Sequence, residues 1–171
     1  AVHVPLKDIA RGIRNVTRVD GRFNVICTDK CGVIIDFAHT DDGLKNALLT
    51  VREFAPKRII TVFGCGGNRD KTKRPIMGKI VAEYSDFAII TSDNPRFEEP
   101  MDIIADIRAG IDTNNYEVEP DRKRAIVRAM TLAEKDDIVL IAGKGAEKYQ
   151  DIKGVKHPYN DEEFVLGLGD L

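Results

Sequence analysis

Apolar positions along the chain change period several times, and each change marks an element. Residues 6–18 place Leu6, Ile9, Ala10 and Ile13 on one side of a short helix before Asp20-Gly21 breaks the pattern. Two runs rich in β-formers follow, Phe23–Thr28 and Val33–Phe37. The turn Asp29-Lys30-Cys31-Gly32 between them predicts a hairpin. Helices and strands then alternate. Leu44, Ala47, Leu48, Val51 and Phe54 lie at helical spacing, and Arg58–Phe63 is an unbroken apolar strand. Pro75 suits the first turn of a helix carrying Met77, Ile80, Val81 and Tyr84. Asp86–Thr91 reads as a strand. Pro100 opens a helix with Ile103, Ile104, Ile107 and Ile111, and Pro120 opens another with Ile126, Val127, Met130 and Ala133. Asp137–Ala142 is a further apolar strand, and Glu162–Leu168 a short terminal helix.

Strands apolar on both faces, separated by amphipathic helices, require a sheet covered on both sides. The expected fold is α/β: a Rossmann-like, doubly wound, mostly parallel sheet to which the N-terminal β-hairpin contributes antiparallel strands.

Composition sharpens this picture only a little. With 171 residues and 43% hydrophobic content, the chain suits one domain with a full core. A net charge of −2 gives no reason to expect nucleic acid or an anionic membrane as partner. No apolar run is long enough to cross a bilayer. Ala1-Val2-His3-Val4-Pro5 does not read as a signal peptide, and the absence of an initiator Met suggests a fragment or a processed chain. Three cysteines, Cys27, Cys31 and Cys65, suit a reducing, cytoplasmic compartment. Cys27 and Cys31 have no second pair of ligands downstream and read as strand and turn residues rather than a metal site.

The chemistry concentrates after the strands, where open parallel sheets bind ligands. One loop runs Gly64-Cys65-Gly66-Gly67-Asn68-Arg69-Asp70-Lys71-Thr72-Lys73-Arg74, a second Ser92-Asp93-Asn94-Pro95-Arg96-Phe97-Glu98-Glu99, and a third Gly143-Lys144-Gly145-Ala146-Glu147. Any one of these is ordinary turn chemistry. Three on one edge bring Arg69 and Arg96 towards Asp93 and Glu147, a mixture that suits a zwitterion such as an amino acid. Neither the phosphate-loop pattern nor the G-x-G-x-x-G dinucleotide pattern is complete. Asp36-Phe37-Ala38-His39-Thr40-Asp41 leaves another strand. Asp36 there could accept from ribose hydroxyls and His39 could stack on a nucleotide, with helix capping by Thr40 or Asp41 as the plain alternative.

Asp93-Asn94-Pro95-Arg96-x-Glu98-Glu99-Pro100 resembles a signature of the Mur ligase family, in its meso-diaminopimelate-adding branch. Gly64–Asp70 with Lys73-Arg74-Pro75, Gly143–Glu147, Gly21-Arg22-Phe23 and Asp36–His39 are similar to that family's other motifs, in the same order. The resemblance covers only the family's C-terminal, amino-acid-binding domain, here residues 21–171. Residues 1–20 then look like the end of the central ATPase domain and a linker. It implies that Arg69, Asp93, Asn94, Pro95, Arg96, Gly143 and Glu147 bind meso-diaminopimelate. Arg96 would grip the carboxylate that lysine lacks.

The resemblance also implies that Arg22, Asp36 and His39 reach ATP, with magnesium and most ATP contacts supplied by the central domain. No catalytic residue falls in this stretch, which alone is expected to be inactive. The implied reaction makes an acyl phosphate on the D-glutamate of a UDP-N-acetylmuramoyl dipeptide, and the amine attacks it. It belongs to peptidoglycan synthesis, and so to cell shape and division. The chain departs from the family pattern at Asn24, Phe37, Asp41, Asn68 and Ala146, which stand where Glu, Tyr, Pro, Asp and His are usual. A ligase adding lysine, and a stand-alone nucleotide- or amino-acid-binding module, are the competing expectations.

Overall fold

The computed structural model describes residues 4–15, 18–54 and 56–169. After helix α1 (Leu6–Asn15), strands β1 (Asn24–Cys27) and β2 (Gly32–Asp36) form the expected antiparallel hairpin. Helix α2 (Asp41–Glu53), strand β3 (Ile59–Phe63), helix α3 (Lys73–Tyr84), strand β4 (Phe87–Ile90) and helix α4 (Pro100–Arg108) then alternate. Strand β5 (Tyr116–Val118), helix α5 (Arg122–Leu132) and strand β6 (Ile138–Ala142) complete the main layer. The six strands lie in the order β1-β2-β6-β3-β4-β5, every pair parallel except β1 with β2. The doubly wound α/β expectation therefore holds.

Alternate side chains of each strand enter different cores. Ile34, Phe63 and Leu140 pack with Leu44, Leu48, Met77, Val81 and Ile104 of α2, α3 and α4. Val33, Ile35, Val62 and Ile141 pack on the other face with Ile126, Ala129 and Met130 of α5. Val165 of helix α6 (Asp161–Gly167) closes that second core.

Three details differ from the sequence expectation. Strand β5 is a three-residue edge strand, too short and too half-buried to leave a pattern. Helix α5 begins at Arg122, because the Asp121 carboxylate accepts from the Arg124 N–H and caps it there; Pro120 stays outside. Strands β7 (Tyr149–Ile152) and β8 (Val155–Pro158) form a separate two-stranded antiparallel sheet. In α1, Leu6 and Ile9 are exposed rather than packed on this fold. The side chain of Ile13 lies outside the described residues. Among the described residues no helix is long and apolar enough to cross a membrane.

Candidate functional site

Strands β6, β3 and β4 are neighbours, so the loops leaving their carboxyl ends meet. Together with the end of β2 they enclose a cleft of about 470 Å³. Arg69, Asp93, Asn94, Arg96, Gly143 and Glu147 all line it, and so do Phe37 and His39. Pro95, Arg22 and Asp36 are not among the lining residues.

The loops interlock through backbone. The Gly67 N–H donates to the Asn94 carbonyl at 2.9 Å, and a Cβ on Gly67 would lie 1.9 Å from the Pro95 carbonyl oxygen. Only glycine permits that approach. This gives Pro95 a structural place, against the Gly-rich loop and not against the cleft. Gly143 has φ +116, and a Cβ there would lie 2.7 Å from Asp93 Oδ2.

Asn94, Lys144 and Glu147 form one buried network. Lys144 is fully buried, and its Nζ donates to Asn94 Oδ1 at 3.0 Å and to Glu147 Oε2 at 2.8 Å. Asn94 Nδ2 donates to the same Glu147 oxygen at 2.8 Å, and the Asp151 N–H donates to Asn94 Oδ1 at 2.9 Å. The Asn94 oxygen, expected within a ligand-binding set, thus has both its lone pairs taken by protein. The acceptors left without a protein partner among the described residues are Glu147 Oε1 and Asp93 Oδ2. Asp93 Oδ1 accepts from the Asn94 N–H at 2.6 Å. Burial raises the Asp93 pKa, and the nearby Arg122 and Lys144 charges oppose that rise.

Two arginines line the same cleft. Arg96 has φ +52, a left-handed backbone uncommon for a residue with a side chain. One guanidinium nitrogen, Nη1, donates to the Gly67 carbonyl at 2.8 Å, while Nε and Nη2 have no partner among the described residues. Arg69 is exposed and likewise unpaired among the described residues. Two arginines with unpaired guanidinium nitrogens and a half-buried Glu147 with one unpaired oxygen line a single cleft, a mixture that suits a small zwitterion.

Arg74 braces the wall. It is buried at 1% exposure and donates to both Glu98 oxygens, to Asp106 and to the Gly66 carbonyl. The Arg74 guanidinium, helped by the Asn68 N–H and Lys71, holds the Glu98 carboxyl down to about 2. Cys65, at the cleft floor, is pushed up to about 12 by burial and stays a thiol.

The β2 end of the cleft is built differently. The Arg22 guanidinium lies 4.6 Å from the centroid of the Phe37 ring, and the His39 ring lies 4.4 Å from it on a tilt of 59°. His39 Nδ1 sits 2.8 Å from the Phe37 carbonyl, which can only accept, so Nδ1 carries the proton and Nε2 faces outward as an acceptor when the ring is neutral. Asp36 is a loop brace: its two oxygens accept from the Phe23 and Ala38 N–H groups, each at 2.8 Å. Thr40 caps α2 by accepting from the Gly43 N–H. Among the described residues no group of three His, Cys, Asp or Glu side chains converges in a way that could hold a metal ion.

Sequence reasoning quoted Lys144, Arg74 and Glu98 within their motifs but gave them no role. It missed Gln150 and Asp151 altogether. A lysine between two glycines at a strand end is the one signal that pointed to a buried cation.

Comparison with known proteins agrees with this fold. The ligase of Clostridioides difficile that joins UDP-N-acetylmuramoyl-L-alanyl-D-glutamate to 2,6-diaminopimelate is 52% identical over 165 residues, 95% of this chain and 34% of that protein. The Aquifex aeolicus ligase of the same name is 49% identical over 92% of the chain and 33% of its own length. A solved structure of a ligase of that name superposes with a TM-score of 0.83 at 38% identity, over 96% of this chain and 34% of that one. The chain therefore spans about a third of the length of these relatives. Residues 21–145 match the family described as Mur ligase, glutamate ligase domain. The chain belongs to the Mur ligase family, whose glutamate ligase domain matches it from before β1 to the start of the third strand-end loop.

Proposed function

We infer that this chain is the amino-acid-binding domain of an ATP-dependent cytoplasmic ligase that adds meso-2,6-diaminopimelate to UDP-N-acetylmuramoyl-L-alanyl-D-glutamate in peptidoglycan synthesis. The observation that carries the reading is the cleft itself, lined by an Arg96 that is fixed through Gly67 and by a Glu147 with one oxygen free of protein partners among the described residues. The names of the relatives at about half identity supply the substrate class.

In this reading Arg96, with Arg69 beside it, takes the carboxylate that distinguishes diaminopimelate from lysine, and Glu147 takes an ammonium group. The domain's contribution to the reaction is positioning: it holds the attacking amine in place while excluding competing amines. Arg22, Phe37 and His39 meet the nucleotide, and Asp36 shapes the loop that carries them. ATP supplies the activation of the acceptor carboxylate when bound. In this reading the triphosphate cradle and the magnesium ligands lie in the part of the ligase outside this chain, which spans 34% of one relative's length. Residues 1–20 belong with that remainder. The family match begins at Gly21, and Leu6 and Ile9 of α1 are exposed.

The test is Arg96→Ala in the full-length ligase. Losing a charge-assisted bidentate pair, worth about 1.5–3 kcal/mol, raises the diaminopimelate KM by roughly one to two orders of magnitude and narrows the preference over lysine. An unchanged KM overturns the role of Arg96.

A further inference from the structure

The loop that carries Arg96 does not hold itself. Its backbone is pinned by the β7–β8 hairpin, which lies outside the main sheet. The Arg96 N–H donates to the Asp151 carbonyl at 2.9 Å, and the Lys153 N–H donates to the Arg96 carbonyl at 2.6 Å. These two bonds make Arg96 a parallel bridge partner of Ile152. On the same strand, Gln150 Nε2 donates to the Asp93 carbonyl at 2.8 Å, and the Asp151 N–H reaches Asn94 Oδ1. Asp93, Asn94 and Arg96 therefore each share a hydrogen bond with this hairpin.

The hairpin turn is of a kind that fixes register. Lys153 and Gly154 have φ +51 and +80, the two positive values of a type I′ turn, and the Asp151 carboxylate accepts from the Gly154 N–H at 3.1 Å. The Phe97 ring lies over the turn: a Cβ on Gly154 would come 3.1 Å from Phe97 Cζ. An isolated two-stranded hairpin is marginal in water, and a side-chain residue at φ +52 is disfavoured. Each element here supplies what the other lacks. The hairpin gains a third strand-like neighbour, and Arg96 gains the bonds that hold its unusual backbone.

We propose that the β7–β8 hairpin is the positioning element for substrate selection, with Gln150 and the Lys153-Gly154 turn setting the pose in which Arg96 meets a second carboxylate. The proposal rests on the substrate reading above and deepens it. Gln150 and Gly154 do not line the cleft; Gly154 acts on Arg96 through the turn, and Gln150 through the loop backbone that leads from Asp93 to it.

The experiment uses the full-length ligase with Gly154→Val, Gln150→Ala, Arg96→Ala and the two double variants with Arg96→Ala. Gly154→Val strains the turn and pushes on Phe97. It is expected to raise the diaminopimelate KM about five- to tenfold, and Gln150→Ala about two- to fivefold, the size of one or two lost hydrogen bonds. The ATP KM and kcat stay where they were. In the Arg96→Ala background neither change adds to the loss, because the pose they control no longer exists. Amide exchange at residues 94–98 quickens in both hairpin variants.

Additive effects in the two backgrounds, or unchanged exchange at residues 94–98, overturn the proposal. If Arg96→Ala alone leaves KM unchanged while the hairpin variants quicken exchange, the substrate reading has failed and the selection role falls with it; the hairpin is then only a loop brace. If Gly154→Val does not fold, Gln150→Ala carries the same comparison.

Discussion

The two ends of the cleft are built on opposite plans. At the Glu147 end, buried Lys144 and Asn94 and half-buried Glu147 are bonded to one another through three hydrogen bonds, and Asp93 is held by its neighbour's N–H. At the Phe37 end, Arg22 and His39 lie on an aromatic ring near solvent and make few polar contacts. The first end is finished within this chain. The second is an open face with a stacked surface. A compact, preorganised site suits selection of a small ligand, whereas a loose stack suits a group that arrives only when domains meet.

The largest effect that can break this contrast is at Lys144. Lys144→Met leaves Glu147 and Asn94 without their buried cation. It is expected to destabilise the chain by about 3 kcal/mol, the lower end for splitting a buried pair, because the Glu147 side chain keeps 25% of its surface in water. Urea unfolding measures it, and a change below about 1 kcal/mol would mean that the network is not preorganised.

A smaller effect comes from Glu98 in the wall. Its pKa is lowered from about 4.5 to about 2, so it contributes stability that is fully present above the ordinary value and is lost as pH falls from there towards 2. Glu98→Gln should flatten that part of the melting-temperature profile. A profile with the same acid slope as the parent would show that Arg74 does not depend on the carboxylate.

The smallest effect on stability belongs to the open end. Arg22→Ala should change unfolding free energy by no more than about 0.5 kcal/mol, as at ordinary surface positions. In the full-length ligase it should still raise the ATP KM severalfold. Stability lost without any change in ATP KM would make Arg22 a part of the fold rather than of a nucleotide face.

Much of this was legible in the sequence for identifiable reasons. The unbroken apolar strands β3 and β6 and the helical spacing of Leu44, Leu48 and Val51 can bury themselves in only one way. The glycines and the Asp93–Arg96 stretch announced the strand-end loops. The fate of Asn94 was not legible, because its oxygen is filled by Lys144 and Asp151, about 50 residues away along the chain. The β7–β8 hairpin was equally silent. Its strands, Tyr-Gln-Asp-Ile and Val-Lys-His-Pro, are half-exposed or exposed and lack an apolar face, and Lys-Gly is an inconspicuous turn. Polar residues whose partners lie on another loop carry no periodic signal of their own.

The place of β6 in the sheet has one more consequence, for how the chain comes together in time. Strands β2 and β3 follow each other in sequence but are separated in space by β6. A growing chain that has made everything up to β5 holds two unjoined pieces, one a hairpin and the other a three-stranded layer, with a slot between them. The residues that fill the slot, Ile138–Ala142, run directly into Gly143, Lys144 and Glu147. Long-range pairing of this kind is slow because the intervening chain must be closed first. The same late insertion that welds the sheet also delivers the buried cation, so the cleft cannot exist in a half-folded chain.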